Sequence, residues 1–235
     1  MVFLPFPARA APPPPVAAAL ATLKQGGQKL ANGWRYEEKI TTNKGSERLS
    51  YDSSSKAGAR WQVLDVNGKP PSSAARKRVA ADAAKEARKN GGGLVVGAGW
   101  LAASDYQLVK STPKTLVYRL SPKPGTKTDT TAAHLLDHLA GQFIVARDDY
   151  RPLSLSLSNF ESFSPRFGIK IEAFLFRAEF KRLGTTGKGP VVVVRTSNSA
   201  SGKVFWIKGF KDKTEVDLSH FAPVVTPAPG AQTGG

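Results

Sequence analysis

The chain has no cysteine, a single methionine and only three histidines in 235 residues. Without cysteine there can be no disulfide framework, no thiolate metal site and no cysteine nucleophile. No uninterrupted apolar run approaches the roughly 18 residues that a membrane-spanning helix needs. No internal repeat is visible. No nucleophile elbow occurs, and the carboxylate pair Asp148-Asp149 falls in a turn, so nothing in the sequence supports catalysis and no cofactor is implied. Acidic residues are also scarce, 18 against 34 Lys and Arg, which leaves a formal charge of +16 and a pI of about 10.2.

A surplus of that size attracts polyanions. Nucleic-acid modules gather their basic residues into a patch with stacking aromatics. Here they are spread along the chain, and the densest group, Arg76-Lys77-Arg78, shares its segment with Asp82 and Glu86. That is the pattern of a solvated helix face. Nucleic acid is therefore not the expected partner, while an anionic membrane surface stays open as one.

Three motifs imitate known chemistry. Gly97, Gly99 and Ala102 follow an apolar run in the spacing of a dinucleotide fingerprint, but Pro113 and Tyr118-Arg119-Leu120 occupy the region where a ribose-binding acid belongs. A glycine-rich loop or bent strand is expected instead. The segment 184–189 (GTTGKG) is too short for a phosphate loop and reads as a hairpin turn. His134 and His138 stand one helical turn apart, yet the third histidine, His220, is far along the chain, so no metal site is expected.

Hydrophobic periodicity organises the rest. Helices are predicted near 16–31, 72–90 and 130–139, with Ser72 or Ser73 as N-cap of the second and Gly141 ending the third. Gly26-Gly27 weakens the first. Strands are predicted around 34–40, 49–51, 60–66, 106–110, 116–120, 143–147, 152–159, 168–181, 190–196, 203–210 and 214–218. Turns are expected at 148–149, 164–165, 184–189 and 198–202. So many short strands with hairpin-length connections give a mainly β, α+β chain: one curved antiparallel sheet or incomplete barrel, covered by helices. Residues 12–224 form this single domain. Residues 225–235 (TPAPGAQTGG from 226) are a Pro/Gly tail expected to be disordered. Residues 1–11 carry an apolar stub and Ala8-Arg9-Ala10, which reads either as the remnant of a secretory signal or as an Ala/Pro leader.

Several stretches together resemble the periplasmic lipoprotein-carrier superfamily, LolA/LolB-like. They are Gly33-Trp34-Arg35-Tyr36, then Arg60-Trp61-Gln62-Val63-Leu64 with Asn67-Gly68-Lys69-Pro70-Pro71. The C-terminal half adds Leu139-Ala140-Gly141-Gln142-Phe143 and Gly202-Lys203-Val204-Phe205. The match is to the general layout of LolA-like proteins more than to the carrier itself. The resemblance implies an incomplete barrel around a hydrophobic cavity that holds acyl chains. It also implies a periplasmic location and a non-enzymatic role in outer-membrane lipid or lipoprotein transport, acting as a monomer. Alternation assigns Trp34, Tyr36, Leu49, Tyr51, Leu116, Tyr118, Leu153, Leu155 and Leu157 to the concave face, joined by Trp61 and Phe176. The opposite face then carries Arg35, Glu37, Arg48, Arg119, Ser154 and Ser156. The alternative is a basic polyanion-binding module whose inner face is a filled core.

Overall fold

The computed structural model describes residues 11–88, 98–121, 138–184, 189–205 and 207–224. Helix α1 (Pro14–Gly33) leads into strands β1 (Trp34–Thr42), β2 (Gly45–Asp52) and β3 (Trp61–Val66), with a 3-10 turn at Ala57–Ala59. Helices α2 (Ser73–Arg88) and α3 (Ala98–Ala103) precede β4 (Asp105–Ser111) and β5 (Thr115–Ser121). The remaining described elements are β6 (Leu139–Ala146), β7 (Pro152–Asn159), β8 (Phe163–Arg166), β9 (Ile169–Arg182), β10 (Val191–Val204) and β11 (Lys208–Pro223). These eleven strands make one antiparallel sheet in the order β3-β2-β1-β11-β10-β9-β7-β6-β5-β4, with β8 paired to β9 off that path. The end strands β3 and β4 do not meet. The sheet is therefore open, as the strand pattern predicts, rather than a closed barrel.

Register shows how the alternation sorts side chains. One row runs Tyr118, Phe143, Leu155, Ala178, Thr196, Val216 and Ile40, each opposite the next across neighbouring strands. The next row over runs Arg119, Gln142, Ser156, Arg177, Ser197, Glu215 and Thr41. Successive side chains of a strand point to opposite faces, so the first row marks an apolar inner face and the second a polar outer face. Helix α1 lies on the inner face, packed on β10, β1, β6 and β7 and against α3. Pro14 opens it at a position whose missing N–H costs nothing. Ser72 caps α2, its Oγ accepting the Ala75 N–H at 3.2 Å.

Four local expectations fail. Leu139 to Gly141 belong to β6, not to the end of a helix, because Leu139 pairs with Asn159 and Gly141 with Leu157. Residues 130–137 of the expected helix lie outside the described residues, and His138 is in a turn. The polar run 198–202 is not a turn either. It continues β10, with Asn198 set between Thr214 and Phe176, and pairing on both sides overrides its poor strand propensity. The chain reverses later, through Phe205 at φ 47°, which also divides the segment 203–210 expected as one strand between β10 and β11. Ser164-Pro165 sits in β8, and the turn comes at Phe167-Gly168, where Gly168 has φ 79°. Lastly, residues 98–103 of the glycine-rich segment form α3 rather than a loop or bent strand, while 94–97 lie outside the described residues. The strand that follows, β4, pairs antiparallel with β5, so no βαβ unit is built.

Candidate functional site

Ten of the eleven residues assigned to a hydrophobic cavity fall into two groups on the inner face. Leu116, Tyr118, Leu155 and Leu157 are buried together with Val16 and Ala19 of α1, Leu101 of α3 and Phe143 of β6, and Phe176 packs against them. Here the protein's own helices fill the concave side. The approach of α1 is close, since a β-carbon on Gly26 would stand 1.8 Å from the Val191 carbonyl oxygen. Only glycine permits it. Tyr106 fastens α3 by donating its O–H to the Leu101 carbonyl at 2.6 Å, and burial pushes its phenol well above the ordinary value.

The second group lies toward β3. Tyr36 and Tyr51 stack with ring centroids 4.9 Å apart, and Trp61 meets both edge-on at 5.7 and 5.0 Å. Phe221 closes on Tyr36 at 5.9 Å, and Trp34 packs against the same cluster. Such offset and edge contacts suit the ring quadrupoles and fix the side chains relative to one another. The Tyr51 hydroxyl donates to the Ala31 carbonyl at 2.7 Å, tying the last turns of α1 to β2. Beyond the rings, Ile40, Leu49, Val63 and Val216 continue the apolar inner face and are only half-buried. Leu153 stands apart: it falls at the bulge between Pro152 and Ser154 and joins neither buried cluster.

Sequence reading missed Phe143, Val63, Val216 and Phe221. The signal was present for Val63, two residues beyond Trp61. It was hidden for Phe221 by the bulge where β11 passes Arg35 and Glu37, which shifts the alternation by one. The inner face is not wholly apolar either. Glu47 lies directly opposite Ile40 and is held by an ion pair to Arg78 of α2.

The outer face carries charge as predicted, and part of it is paired across strands. Arg48 reaches Asp65 at 2.7 Å and Glu37 at 3.6 Å; Arg195 reaches Asp217 at 3.3 Å and Glu215 at 3.6 Å. A groove of about 440 Å³ opens here among Arg35, Glu37, Asp52, Arg60, Gln62 and His220. Hydrogen bonds from Ser54, opposed by slight desolvation and aided by Arg35, hold the Asp52 carboxyl below its usual value. Tyr36, Tyr51 and Ala222 complete its lining, so the groove is amphipathic, with charged side chains set around an apolar part. Elsewhere His138 stacks on Phe163 at 4.5 Å and faces Glu161, while His134 lies outside the described residues. Among the described residues no three His, Asp or Glu side chains converge as metal ligands.

No protein-family model matches the chain, and no curated protein matches it. Two solved structures align along most of its length. One is the crystal structure of MucB in complex with MucA(peri), at 12% identity and a TM-score of 0.24, over 90% of this chain and 100% of that one. The other is the Pseudomonas aeruginosa MucA/MucB complex, at 11% identity and a TM-score of 0.24, over 90% of this chain and 99% of that one.

Proposed function

We propose that the protein is a non-enzymatic, exported binding protein of the LolA-like kind that seats the acyl chain of a lipid or lipoprotein on its inner face. The observation that carries this is the uneven cover of that face. Toward β5 to β7 the helices bury every apolar side chain in the row, whereas Ile40, Leu49, Val63, Val216, Trp34 and Trp61 remain half-buried. Each methylene laid on that surface gains about 0.8 kcal/mol, so a chain of ten or more carbons supplies ample driving force. Of the cavity residues, Trp34, Tyr36, Leu49, Tyr51 and Trp61 would do the binding. Leu116, Tyr118, Leu155, Leu157 and Phe176 would be the packed floor behind them.

Neighbours on opposite faces make the test. Val63→Glu puts a charge among the half-buried apolar side chains, while Gln62→Glu places the same charge on the outer face. The unmodified protein should bind a dansyl-labelled undecanoic acid, Val63→Glu should lose at least tenfold in affinity, and Gln62→Glu should match the parent. Failure of the unmodified protein to bind, or equal losses in both variants, would show a face that is only core. Cell fractionation of the full gene product checks export, since a chain confined to the cytoplasm contradicts it.

A further inference from the structure

Two turns meet at one end of the sheet. Because β9 and β10 pair with Ile169 opposite Val204, the β8–β9 turn at Phe167-Gly168 lies beside the β10–β11 turn that begins at Phe205. The two are bonded, the Phe205 N–H donating to the Gly168 carbonyl at 2.6 Å. They also touch through their rings: Phe167 and Phe205 meet edge-on with centroids 6.4 Å apart. Gly168 is required there, since φ 79° disfavours a side chain and a β-carbon would come within 2.8 Å of the Phe205 ring.

The outward chemistry of this built tip is the reverse of what a solvent turn wants. Phe167 is 85% exposed, Phe205 59% and Ile207 90%. Phe205 moreover occupies the left-handed region at φ 47°, where asparagine or glycine would be at ease and a bulky ring is strained. Neither the turn nor the core calls for an aromatic at this position. Immediately behind the apolar residues the last rungs of β9, β10 and β11 carry lysines on both faces, Lys170, Lys203 and Lys211 on one and Lys208 on the other, with Glu172, which pairs with Lys203 at 3.7 Å, and Asp212 as the acids beside them. Among the described residues Lys170, Lys208 and Lys211 make no ion pair. Aromatic and aliphatic side chains in front of a lysine collar are the arrangement that enters a headgroup layer while its charges meet anionic lipid.

From this we infer that the paired tips form a docking surface for an anionic phospholipid bilayer, with Phe167, Phe205 and Ile207 inserted at the interface and Lys170, Lys208 and Lys211 against the phosphates. This surface is separate from the half-covered inner face and stands whether or not that face binds an acyl chain.

The test is flotation of the full-length protein with vesicles of phosphatidylcholine alone or with about one-third phosphatidylglycerol. Binding should favour the anionic vesicles and weaken as salt is raised. Phe167→Ser with Phe205→Asn and Ile207→Ser, the asparagine chosen to keep the left-handed turn, should cut binding at least tenfold. Lys170→Gln with Lys208→Gln and Lys211→Gln should cut it by about a hundredfold on anionic vesicles, at roughly fivefold per lysine, and by little on neutral ones. Ile207→Ser alone, at a position with no packing role, should lose about threefold. Circular dichroism and melting temperature check that each variant is folded. If the parent does not float with anionic vesicles, or the single and triple apolar variants float as it does, the inference is overturned; the surface would then belong to a protein partner or to none.

Discussion

Adjacent glycines in α1 should respond to the same substitution with opposite signs. Replacing glycine by alanine inside a helix ordinarily gains about 1 kcal/mol, because it removes backbone freedom from the unfolded chain. Gly27 has nothing within 4 Å of its would-be β-carbon, so Gly27→Ala should show that gain almost undiminished. At Gly26 the new carbon would lie 1.8 Å from the Val191 carbonyl oxygen and 2.9 Å from its carbon, against 3.4 Å or more for ordinary contact. Backbone blocks it on the strand side, so the helix itself must lift by well over an ångström. That movement loosens Val16, Ala19 and Leu30, all buried against the sheet. Overpacking of this kind costs about 1–3 kcal/mol and rises with the number of contacts displaced, so it exceeds the propensity gain. Net destabilisation of Gly26→Ala should be about 1–2 kcal/mol, a fall of roughly 2–8 °C in melting temperature, with Gly27→Ala rising by about 2–4 °C. Scanning calorimetry of the two variants beside the parent reads both. Should Gly26→Ala melt at or above the parent, the close seating of α1 on β10 is wrong.

Other perturbations probe the remaining supports. Tyr51→Phe removes the hydroxyl that holds the Ala31 carbonyl and should cost about 0.5–1.5 kcal/mol in urea unfolding, with far-UV circular dichroism unchanged. Leu155→Ala, in the floor under α1 at 1% exposure, should cost about 2–5 kcal/mol, while Ser156→Ala beside it on the outer face stays within about 0.5 kcal/mol. Partial burial alone would raise the Asp149 carboxyl, but the Arg151 backbone and guanidinium and the Arg182 guanidinium together bring it down to about 2. A depressed folded-state value stabilises fully above the ordinary carboxylate value near 3.8 and is lost as pH falls toward 2. Asp149→Asn should therefore weaken the parent's loss of melting temperature between about pH 4 and pH 2, and a slope equal to the parent's would show the pairing to be inert.

Much of this was legible in the sequence because alternation is a local signal. Ser154 to Ser158 writes out the two faces of β7 in five letters, and the register confirms Leu155 and Leu157 inward and Ser154 and Ser156 outward, while the bulge takes Leu153 out of the pattern. Trp34 and Tyr36, like Leu116 and Tyr118, were placed by the same rule. What failed depends on partners distant in the chain. The run Asn198 to Gly202 has turn composition, and only pairing with β9 and β11 on its two sides makes it strand. Leu139 could not be told from a helix end without knowing that β5 and β7 flank it. For the candidate site, residue types showed which face was apolar, but not which half α1 would cover. That division depends on the trajectory of the helix, which Gly26 permits and no periodicity encodes.

The strand order has a consequence for how the chain comes into being. β1 and β11 are neighbours, with Trp34 opposite Pro223 and Thr42 opposite Thr214, so nearly the first strand made waits for the last. Until residues 214–223 emerge, the N-terminal meander β1–β3 has no partner on its β11 side and the sheet exists as two separate pieces. Closing so long a loop is entropically slow, and contacts this remote in sequence lower folding rates by orders of magnitude. During synthesis, the unjoined edges of β1 and β10 would be open to pairing with other chains. Completion is thus a single late event: a chain stopped short of Thr214 retains every described helix and most of the described strands, yet has no means of joining its halves.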